Sequence, residues 1–157
     1  MKAFTPVLAL LPLLHVPLAH ALNAVSVTGR MDITDSESWG SDEHASPWKT
    51  FDTIFVGAPL PASQPFSWSV GMGGEVRIEI LCAATAVGHA GTVKVDCDAK
   101  LFEGTSESTD DLDGRASGSV TVRVNKTKDL IIGVNNTDDG GDWASIKLTI
   151  SNSRATA

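Results

Sequence analysis

Apolar and polar residues alternate along most of the chain. A period of two means one buried and one solvated face, which marks β-strands rather than helices. Val25, Val27, Gly29, Met31 and Ile33 form the first series. The stretch from Trp48 to Val56 is rich in Thr, Phe and Ile and predicts a second strand whose inward face the pattern leaves open. Phe66, Trp68, Val70 and Met72 alternate with Ser and Gly. After Gly73-Gly74, Val76, Ile78, Ile80 and Cys82 alternate with Arg77, Glu79 and Leu81. Val93, Val95, Cys97, Ala99 and Leu101 alternate with Lys94, Asp96, Asp98 and Lys100, and three shorter series follow at Val120–Val124, Leu130–Val134 and Ala144–Ile150. Clusters of Gly, Asn, Asp and Ser separate these runs, and no segment carries a helical period of useful length. The expectation is an all-β fold, an antiparallel β-sandwich of about seven to eight strands forming a single domain over residues 22–157. Long polar connections are expected at 34–47 and 103–115, a turn at 125–129, and a frayed tail from Ser151 to Ala157.

Residues before the first strand follow another rule. Lys2 precedes an apolar run, Ala3 to Leu14, and the stretch ends at Ala19-His20-Ala21, with small residues where signal peptidase reads them. Residues 1–21 therefore read as a secretory signal peptide, with a cut after Ala24 as the neighbouring alternative. Pro6, Pro12 and Pro17 interrupt the run, which falls short of the roughly 20 apolar residues that span a bilayer. No second apolar span follows, so the expected location is secreted and extracellular, without a transmembrane segment. Export changes how the two cysteines are read, because paired thiols become disulfides in an oxidising compartment. If Ala84 pairs with Val95 in a hairpin, Cys82 stands directly opposite Cys97 on one face, within bridging distance.

Charge narrows the function classes. The chain of 157 residues carries 19 acidic and 12 basic residues, a net charge of −7, and loss of Lys2 with the leader leaves 11 bases and a net charge of −8. That sign opposes the footprint phosphate backbones select, so nucleic acid is excluded as a partner. Twelve of the 19 acids fall in three connections: Asp35, Glu37, Asp42 and Glu43; Glu103, Glu107, Asp110, Asp111 and Asp113; Asp138, Asp139 and Asp142. Alternate loops of consecutive antiparallel strands share an end, which puts the second and third groups at one pole. The first joins them if Met72-Gly73-Gly74 is a reversal and lies opposite if it is a bulge. Carboxylates gathered this way repel unless solvated or neutralised, and Ca²⁺ accepts flexible oxygen-rich sites. Asp110, Asp111, Asp113, Asp138, Asp139 and Asp142 are the candidate ligands, although neither loop has the fixed Glu of an EF-hand. The competing reading makes them solvated turn residues.

Trp39, Trp48 and Trp143 lie in or beside polar loops, where an indole can stack on a sugar, although core or capping roles compete and the absence of Tyr argues against a broad aromatic platform. For catalysis the inventory is thin: His44 has Glu43, Ser41 and Ser46 nearby but no nucleophile elbow, and His89 sits at a hairpin tip. Asn125-Lys126-Thr127 and Asn135-Asn136-Thr137 are N-glycosylation acceptor patterns in expected turns. These features point to a non-enzymatic secreted binding protein, effector- or adhesion-like, that meets an extracellular protein or glycan through acidic loops at one pole. A glycan-binding module and a small secreted hydrolase are the alternative readings.

Overall fold

The computed structural model describes residues 22–36, 40–88, 91–106, 108–138 and 141–155. The expected signal peptide at 1–21, Trp39, His89 and Asp139 lie outside the described residues. The strands are β1 (Asn23–Asp35), β2 (Glu43–Ala45), β3 (Trp48–Thr50), β4 (Ile54–Val56), β5 (Ser63–Met72), β6 (Val76–Val87), β7 (Thr92–Phe102), β8 (Leu112–Val122), β9 (Lys126–Asn135) and β10 (Trp143–Arg154). Among the described residues no helix forms, and none is long and apolar enough to cross a membrane.

Two antiparallel sheets pack face to face as a β-sandwich. One is the meander β5-β6-β7-β8; the other places β1 between β10 and the short strands β2, β3 and β4, with β9 at its far edge. The three short strands follow a single course along β1. Arg30 opposes Trp48 and Ile33 opposes Ala45, so Met31 faces Pro47, and the Met31 N–H donates to the Pro47 carbonyl at 3.1 Å. Pro47 has no N–H to return, which interrupts the ladder. Farther on, Thr28 opposes Thr50 but Val25 opposes Ile54, so this course holds one extra residue and bulges there. Ten segments thus reduce to eight strand courses, four per sheet, as the alternation led one to expect. Pro47 and Pro65 both sit on edge courses, where a missing donor costs least.

Several boundaries differ from the sequence reading. The connection expected at 34–47 is shorter, because Thr34 and Asp35 end β1 and Glu43–Ala45 form β2. The connection expected at 103–115 stops before Leu112, where β8 starts. Residues 126–129 belong to β9, and Ser151–Arg154 is no frayed tail but the end of β10, paired with β1 down to Asn23↔Arg154. In each case polar residues break the alternation, several of them buried or at inward positions (Asp35, Asp113, Lys128 and Asn152), without weakening the backbone ladder. Met72-Gly73-Gly74 is a true reversal, since β5 and β6 pair antiparallel on either side of it.

The core is the sum of the two inner faces, led by Val25, Met31 and Ile33 from β1, Ile78 and Ile80 from β6, and Ile146, Leu148 and Ile150 from β10. Gly29 makes room for Trp68: a Cβ there would stand 3.0 Å from the indole ring and 3.1 Å from Leu148. Phe51 closes one margin of the core edge-on to Phe66, with ring centroids 5.1 Å apart. The hairpin of β6 and β7 takes the register Ala84↔Val95, and Cys82 and Cys97 are joined by a disulfide across directly opposed positions. Because this bridge spans 15 residues, a Cys82→Ala/Cys97→Ala variant should lose about 3 kcal/mol on the chain-entropy estimate. Urea unfolding checks this; an unchanged midpoint would show that the ladder alone holds the hairpin. Intact mass of the wild type should fall two hydrogens below the reduced value.

Candidate functional site at the acidic pole

Each strand course runs the length of the sandwich, so alternate connections meet at one end. The β1–β2 connection, the β5–β6 turn, the β7–β8 loop and the β9–β10 loop all reach the same pole. Gly73 and Gly74 turn tightly there with φ of 65° and 86°, and at Gly73 a Cβ would run into the Asp35 carboxyl. All three acidic connections therefore share this pole.

Two carboxylates act first as pins. Asp142, 5% exposed, accepts the Ser36 N–H on Oδ1 at 2.7 Å, and its carbonyl accepts the Asn136 N–H at 2.9 Å. Asp113, 8% exposed, accepts the Glu103 N–H on Oδ2 at 2.9 Å, while its carbonyl takes the Thr137 N–H at 2.9 Å and the Thr137 hydroxyl at 2.8 Å. Charge-assisted bonds of this kind order loops more firmly than neutral ones. Asn136 closes the arrangement: its Nδ2 donates to Glu103 Oε2, and its Oδ1 accepts the Asp138 N–H at 2.8 Å.

The six carboxylates expected to share a cation thus divide. Asp113 and Asp142 are buried and hold backbone donors; Asp111 and Asp138 are exposed and line a small cavity of about 170 Å³ with Glu103, Gly104, Asp113 and Asn136. Asp110 is exposed outside that lining, and Asp139 is outside the described residues. Among the described residues, no three His, Cys, Asp or Glu side chains are arranged to hold a metal ion. Glu103 and Asn136 were not among the expected site residues. Glu103 was visible only as one acid among many, and nothing local in sequence ties it to Asp142.

Glu103 is the electrostatic centre of the pole. Its carboxyl is pushed up to about 7, first by a hydrogen bond with the Asp142 carboxyl, then by burial and by the charges of Asp142 and Asp113; the Asn136 amide opposes this. Two carboxyls can hydrogen-bond only when one is protonated, so the pair stores a proton that a cation could replace. Such contact does not match glycoside hydrolysis, which needs carboxyls about 5 Å or more apart. His44 lies at the same end, with Nδ1 3.0 Å from the Thr34 hydroxyl on the neighbouring strand.

Of the expected aromatic residues, Trp48 and Trp143 lie on the outer face of the β1-containing sheet. Trp48 opposes Arg30, whose guanidinium stands 5.7 Å from the ring centroid; Trp143 opposes Thr34 and Asn135 nearer the pole. They are 70% and 40% exposed, so neither is a core residue. Asn125 occupies the β8–β9 turn with φ 59°, whereas Asn135 is the last residue of β9 rather than part of a turn, with its side chain exposed.

No family model matches this chain, and neither a curated protein nor a solved structure does.

Between pH 4.5 and 7 the folded protein keeps a proton on Glu103 that the unfolded chain has released, so stability should fall as pH rises through this window. The loss should be on the order of 1–3 kcal/mol after allowance for partial solvent screening. Melting curves at pH 5 and pH 8 measure it, and Glu103→Gln should flatten the difference. An equal difference in that variant would assign the pH dependence to other carboxylates.

Proposed function

We propose that the protein is a secreted, non-enzymatic binding module whose acidic pole is its contact surface for cationic groups, Ca²⁺ being the simplest. The observation that supports this reading is the convergence of three acidic connections on Glu103, Asp113 and Asp142, crowded enough that one carboxyl holds a proton near neutral pH. A cation delivered by an ion or by a basic protein surface relieves that crowding by replacing the proton. The leader pattern and the disulfide support the extracellular setting in which millimolar Ca²⁺ is met.

Ca²⁺ at a hundred times its dissociation constant would favour the folded state by about 2.7 kcal/mol. At pH 7.5 the melting temperature should then rise with millimolar Ca²⁺ and return with chelator. Asp111→Asn together with Asp138→Asn should remove the response. A melting temperature flat across the titration, with no bound metal on elemental analysis, would reject the Ca²⁺ form of the reading; lack of binding to a basic peptide panel as well would reject the acidic pole as a contact surface.

A second reading, glycan binding, is favoured by Trp48 and Trp143 standing exposed on one sheet face. Between their rows runs a polar one in which Asp32 accepts the Ser46 hydroxyl at 2.6 Å and pairs with Arg30 at 2.6 Å. Indoles flanking hydroxyls and a neutralised carboxylate suit an uncharged sugar chain. On a glycan array, Trp48→Ala and Trp143→Ala should each abolish any signal of the wild type; a signal that survives both would place sugar contact elsewhere.

A further inference from the structure

The pole opposite the acidic one carries the reverse charge, in a chain whose net charge is −7. There Arg123, Lys126 and Lys128 line one cavity of about 620 Å³ with the hydroxyl-bearing side chains of Thr92 and Thr121. None of the three cations takes part in an ion pair among the described residues; the cations that do are Arg30, Arg77, Lys94, Arg115 and Lys147. Of these, only Lys94 lies next to the cavity, across the ladder from Thr121, and Asp96 neutralises it at 2.6 Å.

The fold builds this cluster and fixes its frame. In the β8–β9 turn the Lys126 N–H donates to the Arg123 carbonyl at 3.1 Å, with Asn125 in the left-handed region that Asn tolerates, so Arg123 and Lys126 are held at either end of one tight turn. The buried amide of Asn152 anchors the surroundings, since Nδ2 donates to the carbonyls of Gly91 and Val122 at 2.9 Å each. The Asn152 carbonyl accepts the Asn125 N–H at 2.7 Å. One side chain and its own backbone thus tie the β6–β7 turn, the end of β8 and the β8–β9 turn together. Lys126 and Lys128 continue the inward-facing series Leu130, Ile132 and Val134 of β9, yet both are exposed, so here the inner face of this edge strand lies uncovered.

We propose that this cavity is an anion site that takes a sulfate or phosphate monoester group, with Arg123, Lys126 and Lys128 as its charge donors and Thr92 and Thr121 as hydroxyl donors. Three cations with no ion-pair partner among the described residues repel one another, and a compact anion of two charges relieves that repulsion while accepting several hydrogen bonds. Arg123 offers the planar fork that matches two oxygens of a tetrahedral anion, and the lysines supply point charges. A monocarboxylate, with one charge, would neutralise less. The inference goes beyond the cation-binding reading of the other pole and uses none of its residues.

The test is isothermal titration of the full secreted protein with three probes: inorganic phosphate, a sulfated oligosaccharide, and vesicles carrying a phosphomonoester headgroup. Asn125 lies in the turn at the cavity, so material is measured before and after enzymatic removal of N-linked glycans. Binding of at least one probe is expected, weakening as salt is raised because the cations are exposed. The probe that binds most tightly distinguishes a free anion, a sulfated glycan and a lipid headgroup as the source. Arg123→Gln with Lys126→Gln should weaken binding at least tenfold with melting unchanged. Lys100→Gln, and Asp111→Asn with Asp138→Asn at the acidic pole, should leave it within twofold. No binding of any probe at millimolar concentration, or equal binding by the Arg123→Gln/Lys126→Gln variant, would overturn the proposal.

Discussion

Pairing of the chain's two end strands is the constraint on which the rest depends. β1 and β10 lie side by side from Asn23↔Arg154 to Thr34↔Trp143, in the middle of their sheet, so the first sheet cannot be complete until the last residues of the domain arrive. Contacts this distant in sequence are entropically costly to close, and the meander β5 to β8, built from neighbours, carries no such cost. Once β1 and β10 are aligned, the inward positions of both are fixed, because a slip of one residue would turn Val25, Met31, Ile146 and Ile150 outward. The same alignment sets which connections meet at which end.

From that follows the electrical shape of the molecule. Strand courses that run end to end send alternate connections to opposite poles, and the sequence uses the two sets differently. One set holds Glu103, Asp113 and Asp142, whose carboxyls are spent partly on backbone donors and partly on one another. The other holds Arg123, Lys126 and Lys128, with Asn152 as the neutral brace beneath them. Between the poles, charges on the outer faces are paired locally, as Arg30 with Asp32, Lys147 with Asp129 and Arg115 with Asp98. Exposed pairs of this kind contribute little to stability, but they cancel the field of the flanks and leave the poles as its source.

How much of this could be read beforehand depended on the range of the interaction. Alternation fixes a face, so the inward residues of β6, β7 and β10 and the opposition of Cys82 to Cys97 were legible from neighbours in the chain. Strand ends were less so: Ser151–Arg154 and residues 126–129 read as tail and turn because polar residues stand at inward as well as outward positions there, Lys126, Lys128 and Asn152 among them, although the ladder runs through both. The Gly73-Gly74 reversal stayed ambiguous because two glycines suit a turn and a bulge equally, and only the pairing of β5 with β6 decides. The Glu103–Asp142 contact and the Asn152 brace were not legible at all, since each joins segments far apart in sequence. The basic cavity was hidden for a further reason: an overall negative charge says nothing about where the few unpaired cations gather.

Local conflict between stability and arrangement is where function is sought in a fold, because unfavourable contacts persist only when the surrounding structure offsets them. By that measure the two poles rank above the sheet faces. At the acidic end a carboxyl pair must hold a proton to coexist, and at the basic end three cations share a cavity with no ion-pair partner among the described residues. Both arrangements cost the isolated protein stability, and both are relieved by a ligand of opposite sign. The face bearing Trp48 and Trp143, on which Arg30 is paired with Asp32 and Lys147 with Asp129, carries no comparable cost, since an exposed indole beside a guanidinium is a comfortable surface on its own. If the two poles bind as proposed, partners engaged at the acidic and the basic end are held apart by the length of the sandwich and do not compete for one site.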